Sequence, residues 1–134
     1  MSQFQFIKSI DQINDVAIFI DNLIKDHQIQ FVLLEGQIGS GKSTLVRTLA
    51  QLWNNEKVVP SPSFNKMLIY DQFIHIDAYN MKPNDLEQLM DYFEDKIVLI
   101  EWANLLNYDF EHFIKIKIAY QSEFTRLYLI ELKE

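Results

Sequence analysis

The sequence predicts an α/β fold in which one mixed sheet, parallel at its centre and antiparallel at its margins, is flanked by helices. Helical and strand patterns alternate along the first two thirds of the chain. Two short apolar runs, 31–34 and 97–100, are uninterrupted, as expected for central strands buried on both faces. Late segments alternate apolar with polar residues, which is typical of half-exposed strands. At 134 residues, we expect one domain spanning 1–134.

The first elements are a strand and a helix. Residues 3–8 alternate like an edge strand, and Ser9 with Gln12 forms a potential capping box. The following helix is predicted to reach about His27, because apolar residues recur at helical spacing: Ile10, Ile13, Ala17, Ile20 and Ile24. Its apolar face is expected to pack on the sheet.

A strand, a glycine-rich turn and a helix come next. The apolar run 31–34 ends at Glu35, and a helix is predicted over 44–53 from the spacing of its apolar residues. Residues 57–64 are predicted to be an irregular loop, because Pro60 and Pro62 cannot both fit a helix or a ladder interior.

The remaining elements are mostly strands. A hairpin is predicted from 67–70 and 73–76, and a helix from Pro83 to about Phe93. Strands follow at 97–100, 113–120 and about 127–132. Within 113–120, Lys115 and Lys117 lie on one face, which we interpret as a solvated edge.

Composition limits the function. The net charge of −7 repels nucleic acid, so a role on RNA would require a partner. The chain has no cysteine, which excludes disulfides and thiolate chemistry. The N-terminal sequence does not resemble a secretory signal, and no apolar run approaches the length of a membrane span, so we expect a cytoplasmic protein without a membrane segment.

The strongest chemical signal is the segment GQIGSGKS, residues 36–43, which matches the P-loop pattern and lies between a predicted strand and helix. Glycines allow backbone amides to surround phosphate oxygens, and the helix N-terminus favours their negative charge. The pattern predicts ATP and Mg²⁺ as ligands, with Lys42 at the β- and γ-phosphates and Ser43 on the metal. The predicted nucleotide-binding residues are Gly36, Gly39, Ser40, Gly41, Lys42 and Ser43.

Two acidic residues follow buried strands. Asp77 and Glu101 end the runs 73–76 and 97–100, the positions where a P-loop protein holds its metal and attacking water. We predict both as catalytic residues, although an acid at a strand end is often a solvated residue or a cap. His75 is a weaker candidate for a base, because a histidine within a strand is more often packed or exposed. Trp102 either stacks on a ligand or fills the core.

The P-loop, SPSF at 61–64, HIDAY at 75–79 and IEW at 100–102 occur in an order that resembles the TsaE (YjeE) family. The family consists of P-loop ATPases of bacterial tRNA threonylcarbamoyladenosine synthesis. The resemblance covers most of the chain. It implies a P-loop NTPase-like fold and an Mg²⁺-dependent ATPase that acts with TsaB-like and TsaD-like subunits and meets tRNA only through that complex. The modified adenosine belongs to tRNAs that read codons starting with adenine.

The resemblance also implies residue roles. Thr44 would contact phosphate, Ser43 and Glu101 would hold Mg²⁺, and Trp102 would matter for activity. Ser61, Ser63 and Phe64 would belong to a switch loop that senses the nucleotide. The sequence departs from the family pattern where Ser63 replaces threonine, Asn80 replaces arginine, and Ala103 and Asn104 replace a proline and an acid.

Two alternatives to an accessory ATPase are a small-molecule kinase and a nucleotide-binding switch without useful turnover. The chain contains two arginines, Arg47 and Arg126. Kinases surround the transferred phosphoryl group with several, so this scarcity counts against the first alternative. The exchange at Asn80 keeps the second open.

Overall fold

The computed structural model describes residues 1–37, 39–53 and 67–134. Within them lie three segments of 3₁₀-helix, at Ile10–Gln12, Met90–Tyr92 and Ala103–Leu105. The strands and α-helices are β1 (Ser2–Ser9), α1 (Ile13–His27), β2 (Phe31–Glu35), α2 (Lys42–Leu52), β3 (Met67–Ile69), β4 (Phe73–Asp77), α3 (Leu86–Leu89), β5 (Ile97–Glu101), β6 (Phe113–Tyr120) and β7 (Thr125–Lys133).

The described strands form one sheet in the order β1-β7-β6-β2-β5-β4-β3. The four inner strands β6, β2, β5 and β4 run parallel to one another, whereas β7 with β6, β1 with β7 and β3 with β4 are antiparallel. The predicted mixed sheet is therefore confirmed, including the edge position of the first strand. Because the inner strands are parallel, their carboxyl ends all lie at one edge, which is where such sheets place ligands.

Helices α1 and α2 cover one face of the sheet. Strand β2 is apolar up to its final residue, Glu35, because Val32 and Leu34 face these helices while Leu33 packs into a second core on the opposite face. Burying each such side chain contributes roughly 1.5–3 kcal/mol. The second core lies between the inner strands and the segment that contains α3. The P-loop strand is thus held firmly on both sides.

The start of α1 follows the prediction in part. The Ser9 amide donates a hydrogen bond to Gln12 Oε1 at 3.0 Å, which is the side-chain-to-backbone half of the predicted capping box. The first turn is a 3₁₀-helix and not α-helix. The helix ends at His27, where Gln28 takes a left-handed backbone with φ of 53°.

The predicted helix from Pro83 to Phe93 is wrong in extent. Only Leu86–Leu89 is α-helical, and Met90–Tyr92 is a 3₁₀-helix. At the beginning of the segment, the Pro83 carbonyl accepts a hydrogen bond from the Asn107 amide at 2.9 Å. This carbonyl is therefore not used in a helical hydrogen bond. Glu94 has a φ of 43° and ends the segment.

The expected solvated edge at 113–120 is also wrong, because β6 lies between β7 and β2. Its Lys115 and Lys117 instead approach Glu35 of β2 at 3.7 and 3.8 Å. The predicted loop at 57–64 lies outside the described residues. In the described ranges, no helix is both long and apolar enough to span a membrane.

Candidate functional site

The loop between β2 and α2 can be built only with glycine at its first position. A Cβ atom on Gly36 would lie 2.6 Å from Ser40 Oγ and 2.7 Å from the Ile118 carbonyl oxygen. Gly41, with φ of +116°, precedes the first residue of α2. The helix therefore starts at Lys42, two residues earlier than predicted, and its N-terminal amides and dipole are directed at the loop.

A cavity of about 430 Å³ lies at the carboxyl edge of the inner strands. It brings together most of the predicted site residues, from the P-loop and from the ends of β4 and β5. Its lining comprises Gly39, Gly41, Lys42, Ser43, Thr44, Asp77, Tyr79, Asn80, Glu101 and Trp102. Gly36 and Ser40 line a neighbouring cavity of about 560 Å³ instead. We place the candidate site in the smaller cavity, because it holds the lysine, the hydroxyls and both acids.

Lys42 is buried beside the loop that it follows. Its ammonium group donates a hydrogen bond to the Gly36 carbonyl and lies 4.2 Å from the ring centroid of Trp102. Burial lowers the pKa of Lys42 from its usual 10.5, while the negative charges of Glu101 and Asp77 act in the opposite direction. The ammonium group is thus held among two acids and an aromatic face, without any salt bridge in the described part of the chain.

The two predicted acids lie side by side. Asp77 and Glu101 are paired positions on the parallel strands β4 and β5, so their side chains share a face of the sheet. Asp77 Oδ1 accepts a hydrogen bond from the Tyr79 amide at 3.0 Å, and the Ala78 amide donates to the Glu101 carbonyl at 3.0 Å. The first bond holds the Asp77 carboxylate against its own turn, and the second joins the ends of β4 and β5.

Glu101 is buried, and its carboxylate has a partner that the sequence did not reveal. His75 Nε2 lies 2.6 Å from Glu101 Oε2. His75 belongs to β4, two residues before Asp77, and its ring is also buried. The sequence indicated a strand histidine but could not show which side chain it meets.

Trp102 has an unusual backbone. Its φ of 62° is left-handed, which is uncommon for a residue with a large side chain and marks local strain. Its amide donates to the Leu34 carbonyl at 3.3 Å, and its ring meets that of Tyr79 edge-on at 5.2 Å. The side chain is partly buried. The ring packs against the second core and also lies on Lys42 at the cavity wall, so both roles, ligand stacking and core filling, stay predictions.

One residue outside the predicted set also meets the loop, and a second packs on its ring. The Tyr120 hydroxyl donates to the Gly39 carbonyl at 3.2 Å, and the Arg126 guanidinium stacks 4.0 Å above the Tyr120 ring. Nothing in the local sequence around Tyr120 indicates this contact, which depends on β6 lying next to β2. The predicted switch residues Ser61, Ser63 and Phe64 lie outside the described residues.

The side chains at the cavity fit a metal that arrives with phosphate. Among the described residues, no group of three or more His, Cys, Asp or Glu side chains could hold a metal ion by itself. Ser43, Asp77 and Glu101 provide oxygen ligands, which suit Mg²⁺, and Mg²⁺ ordinarily completes its shell with phosphate oxygens and water. The donor set therefore fits Mg²⁺ bound together with a nucleotide.

Comparison with known proteins identifies the family. A family model described as "Threonylcarbamoyl adenosine biosynthesis protein TsaE" matches residues 7–128. The chain belongs to the TsaE family. The family's description assigns it to threonylcarbamoyl adenosine biosynthesis, and the resemblance seen in the four sequence motifs is confirmed.

Individual TsaE proteins are similar to this chain over part of their length. The relative from Nostoc sp. is 30% identical over 106 residues, 71% of this chain and 65% of its own length. The Haemophilus influenzae relative is 34% identical over 95 residues, 63% of this chain and 60% of its own. The Bacillus subtilis relative is 32% identical over 79 residues, 54% of this chain and 50% of its own. The chain therefore aligns with half to two thirds of these relatives.

A solved structure extends the likeness to the whole fold. The crystal structure of Bacillus YdiB superposes with a TM-score of 0.75 and covers 99% of this chain and 87% of its own, at 21% sequence identity. At this identity the likeness concerns the fold alone. It agrees with the mixed sheet of this TsaE-family chain.

Proposed function

We propose that this TsaE-family chain binds ATP with Mg²⁺ and hydrolyses it. The observation that carries the proposal is the convergence of Lys42, Ser43, Asp77 and Glu101 on one cavity at the carboxyl edge of the parallel strands. One of these groups is a buried ammonium, one a hydroxyl at a helix N-terminus and two are acids. This is the combination that phosphoryl-transfer sites use to bind and neutralise phosphates.

Each group has a role that follows from its chemistry. The amides at the start of α2 and the Lys42 ammonium bind phosphate oxygens, and Thr44 contacts phosphate next to them. Ser43 and Glu101 would hold Mg²⁺, which when bound neutralises charge that develops on the phosphates. Asp77, fixed by the Tyr79 amide, orients the attacking water. Trp102 supports Lys42 from the side.

Calorimetric titration tests the binding part of the proposal. ATP and ADP should bind to the purified protein, more tightly with Mg²⁺ than with EDTA, and CTP should compete poorly with ATP. The preference for adenine rests on family membership. Equal displacement by CTP would refute the adenine preference, and absence of any Mg²⁺ effect would refute the roles given to Ser43 and Glu101.

The cellular role that we propose is accessory. The chain would act in the cytoplasm with TsaB-like and TsaD-like subunits, so that its ATP hydrolysis supports formation of the threonylcarbamoyl group on adenosine of tRNAs that read codons starting with adenine. With a net charge of −7, contact with tRNA would be indirect, through the complex. Co-elution with both subunits in gel filtration, compared between ATP and ADP, tests this association. Failure to co-elute with either nucleotide would contradict it.

The positions of the two arginines support slow ATP hydrolysis by the protein alone. Neither arginine belongs to the cavity lining in the described part of the chain. Arg47 is exposed and reaches the Thr44 hydroxyl at 3.5 Å, while Arg126 is engaged with Tyr120 and the carbonyls of its own turn. P-loop enzymes without an arginine at the γ-phosphate are slow until a partner provides charge or orders the site. This arrangement supports the proposal that partner subunits stimulate hydrolysis.

A further inference from the structure

A buried polar pair links the middle of β4 to the end of β5. His75 Nε2 and Glu101 Oε2 are 2.6 Å apart, and the two side chains are only 2% and 8% exposed. In the parallel register, Glu101 is paired with Asp77 and His75 with Leu99. His75 therefore contacts Glu101 diagonally, from a position two residues earlier in β4. The contact is therefore made on a buried face of the sheet and not at the protein surface.

The chemistry of the pair assigns its hydrogen. A carboxylate oxygen only accepts, so His75 Nε2 is the donor. The other ring nitrogen, Nδ1, has no hydrogen-bond partner among the described residues. In that part of the chain, the bond to Glu101 is thus the one polar interaction of the ring.

A purely structural role would be served better by an apolar residue. The positions around His75 in β4 are Phe73, Ile74 and Ile76, all fully buried. Burying a polar pair is costly, and replacing such pairs by apolar side chains of similar size is often neutral or stabilising. An imidazole that is buried with one nitrogen unpaired adds to that cost. The pair is better explained by what it does to Glu101.

We propose that His75 is a positioning residue for Glu101. The bond occupies Oε2 and fixes the orientation of the carboxylate, which leaves Oε1 as the oxygen with which Glu101 would hold Mg²⁺. Glu101 is also attracted electrostatically to Lys42. The bond to His75 keeps the carboxylate from turning toward the ammonium group. The inference rests on the metal-binding role proposed for Glu101. Residues that fix the orientation of metal ligands in this way tune metal affinity without touching the metal.

A pair of amide variants tests the proposal. In His75→Gln, the amide nitrogen can reach the position of Nε2, whereas in His75→Asn it ends near the position of Nδ1. The quantity measured is the ratio of the affinity for a nonhydrolysable ATP analogue with Mg²⁺ to the affinity in EDTA. We expect this ratio to fall about 10- to 100-fold in His75→Asn. It should be largely retained in His75→Gln. Affinity measured in EDTA should stay the same in both, which separates metal positioning from general damage to the site.

Glu101→Gln provides the reference for both proposals. If Glu101→Gln leaves this ratio unchanged, the metal role proposed for Glu101 fails. If Glu101→Gln lowers the ratio but His75→Asn does not, the positioning role alone is overturned. Equal losses with and without Mg²⁺ in His75→Asn would also overturn it. In the double variant, His75→Asn should have no further effect. If thermal unfolding shows that His75→Asn is not folded, His75→Leu replaces it, and the same result is expected.

Discussion

Replacing Lys42 with alanine tests the phosphate-binding geometry most sharply. In the structure, the ammonium group donates to the Gly36 carbonyl, and to bind phosphate it would exchange this bond for two charge-assisted bonds. At about 1.5–3 kcal/mol for each such bond, the net gain is that of one bond. Lys42→Ala should therefore weaken ATP binding about 10- to 150-fold. Because Lys42 is buried, the free energy of unfolding of Lys42→Ala is measured in parallel, and affinities are compared under conditions in which the variant is folded.

The assay is calorimetric titration of ATP with Mg²⁺, with thermal unfolding measured in parallel. Lys25→Ala is the matched control, because it removes the same charge from an exposed position on α1 where Lys25 pairs with Asp21 at 2.9 Å. Lys25→Ala should bind ATP like the unmodified protein. If Lys42→Ala loses no more affinity than Lys25→Ala, the ammonium group does not bind phosphate and the reasoning is refuted.

Three further predictions concern other groups. Asp77→Asn should still bind ATP with Mg²⁺ but release phosphate more slowly, and a loss of the Mg²⁺ effect instead would mean that Asp77 and Glu101 have exchanged roles. Trp53→Phe leaves Trp102 as the remaining tryptophan, and its fluorescence should change when ATP binds, because phosphate bound at Lys42 changes the charge beside the ring. Constant emission at saturation would contradict the position of Trp102 at the nucleotide site. Burial raises the pKa of Tyr128 above 10.0, so its stabilising contribution is complete below about pH 10 and is lost as the pH rises through the raised pKa. In urea unfolding, the free energy of unfolding of Tyr128→Phe should fall less above pH 10 than that of the unmodified protein. An unchanged pH dependence would exclude Tyr128 as the source of the loss.

Local patterns were sufficient for the P-loop and its flanking elements. The apolar runs beginning at Phe31 and Ile97 became the buried parallel strands β2 and β5, and β5 ends at Glu101, one of the two acids singled out from the sequence. A strand that is buried on both faces consists of consecutive apolar residues, and this pattern is visible in the sequence. The glycines occupy a loop whose conformation depends on a few consecutive residues, and Lys42 begins the helix that follows it, so the motif predicted the order of strand, loop and helix.

Features that depend on strand order could not be predicted. The bond between His75 and Glu101 requires β4 to lie beside β5 in one particular register. The contact of Tyr120 with Gly39 joins residues 81 positions apart. Likewise, the helix expected from Pro83 was shortened by a hydrogen bond from a distant loop. In each case tertiary contacts, and not local propensity, decide the outcome.

Steady-state phosphate release at saturating ATP tests the central claim most directly. The protein should be measured alone, with TsaB-like and TsaD-like subunits, and as Lys42→Ala with the same subunits. We expect slow release by the protein alone, a marked increase with both subunits, and loss of that increase in Lys42→Ala. Fast release in isolation that the subunits leave unchanged would contradict an accessory ATPase and favour an autonomous enzyme such as a small-molecule kinase.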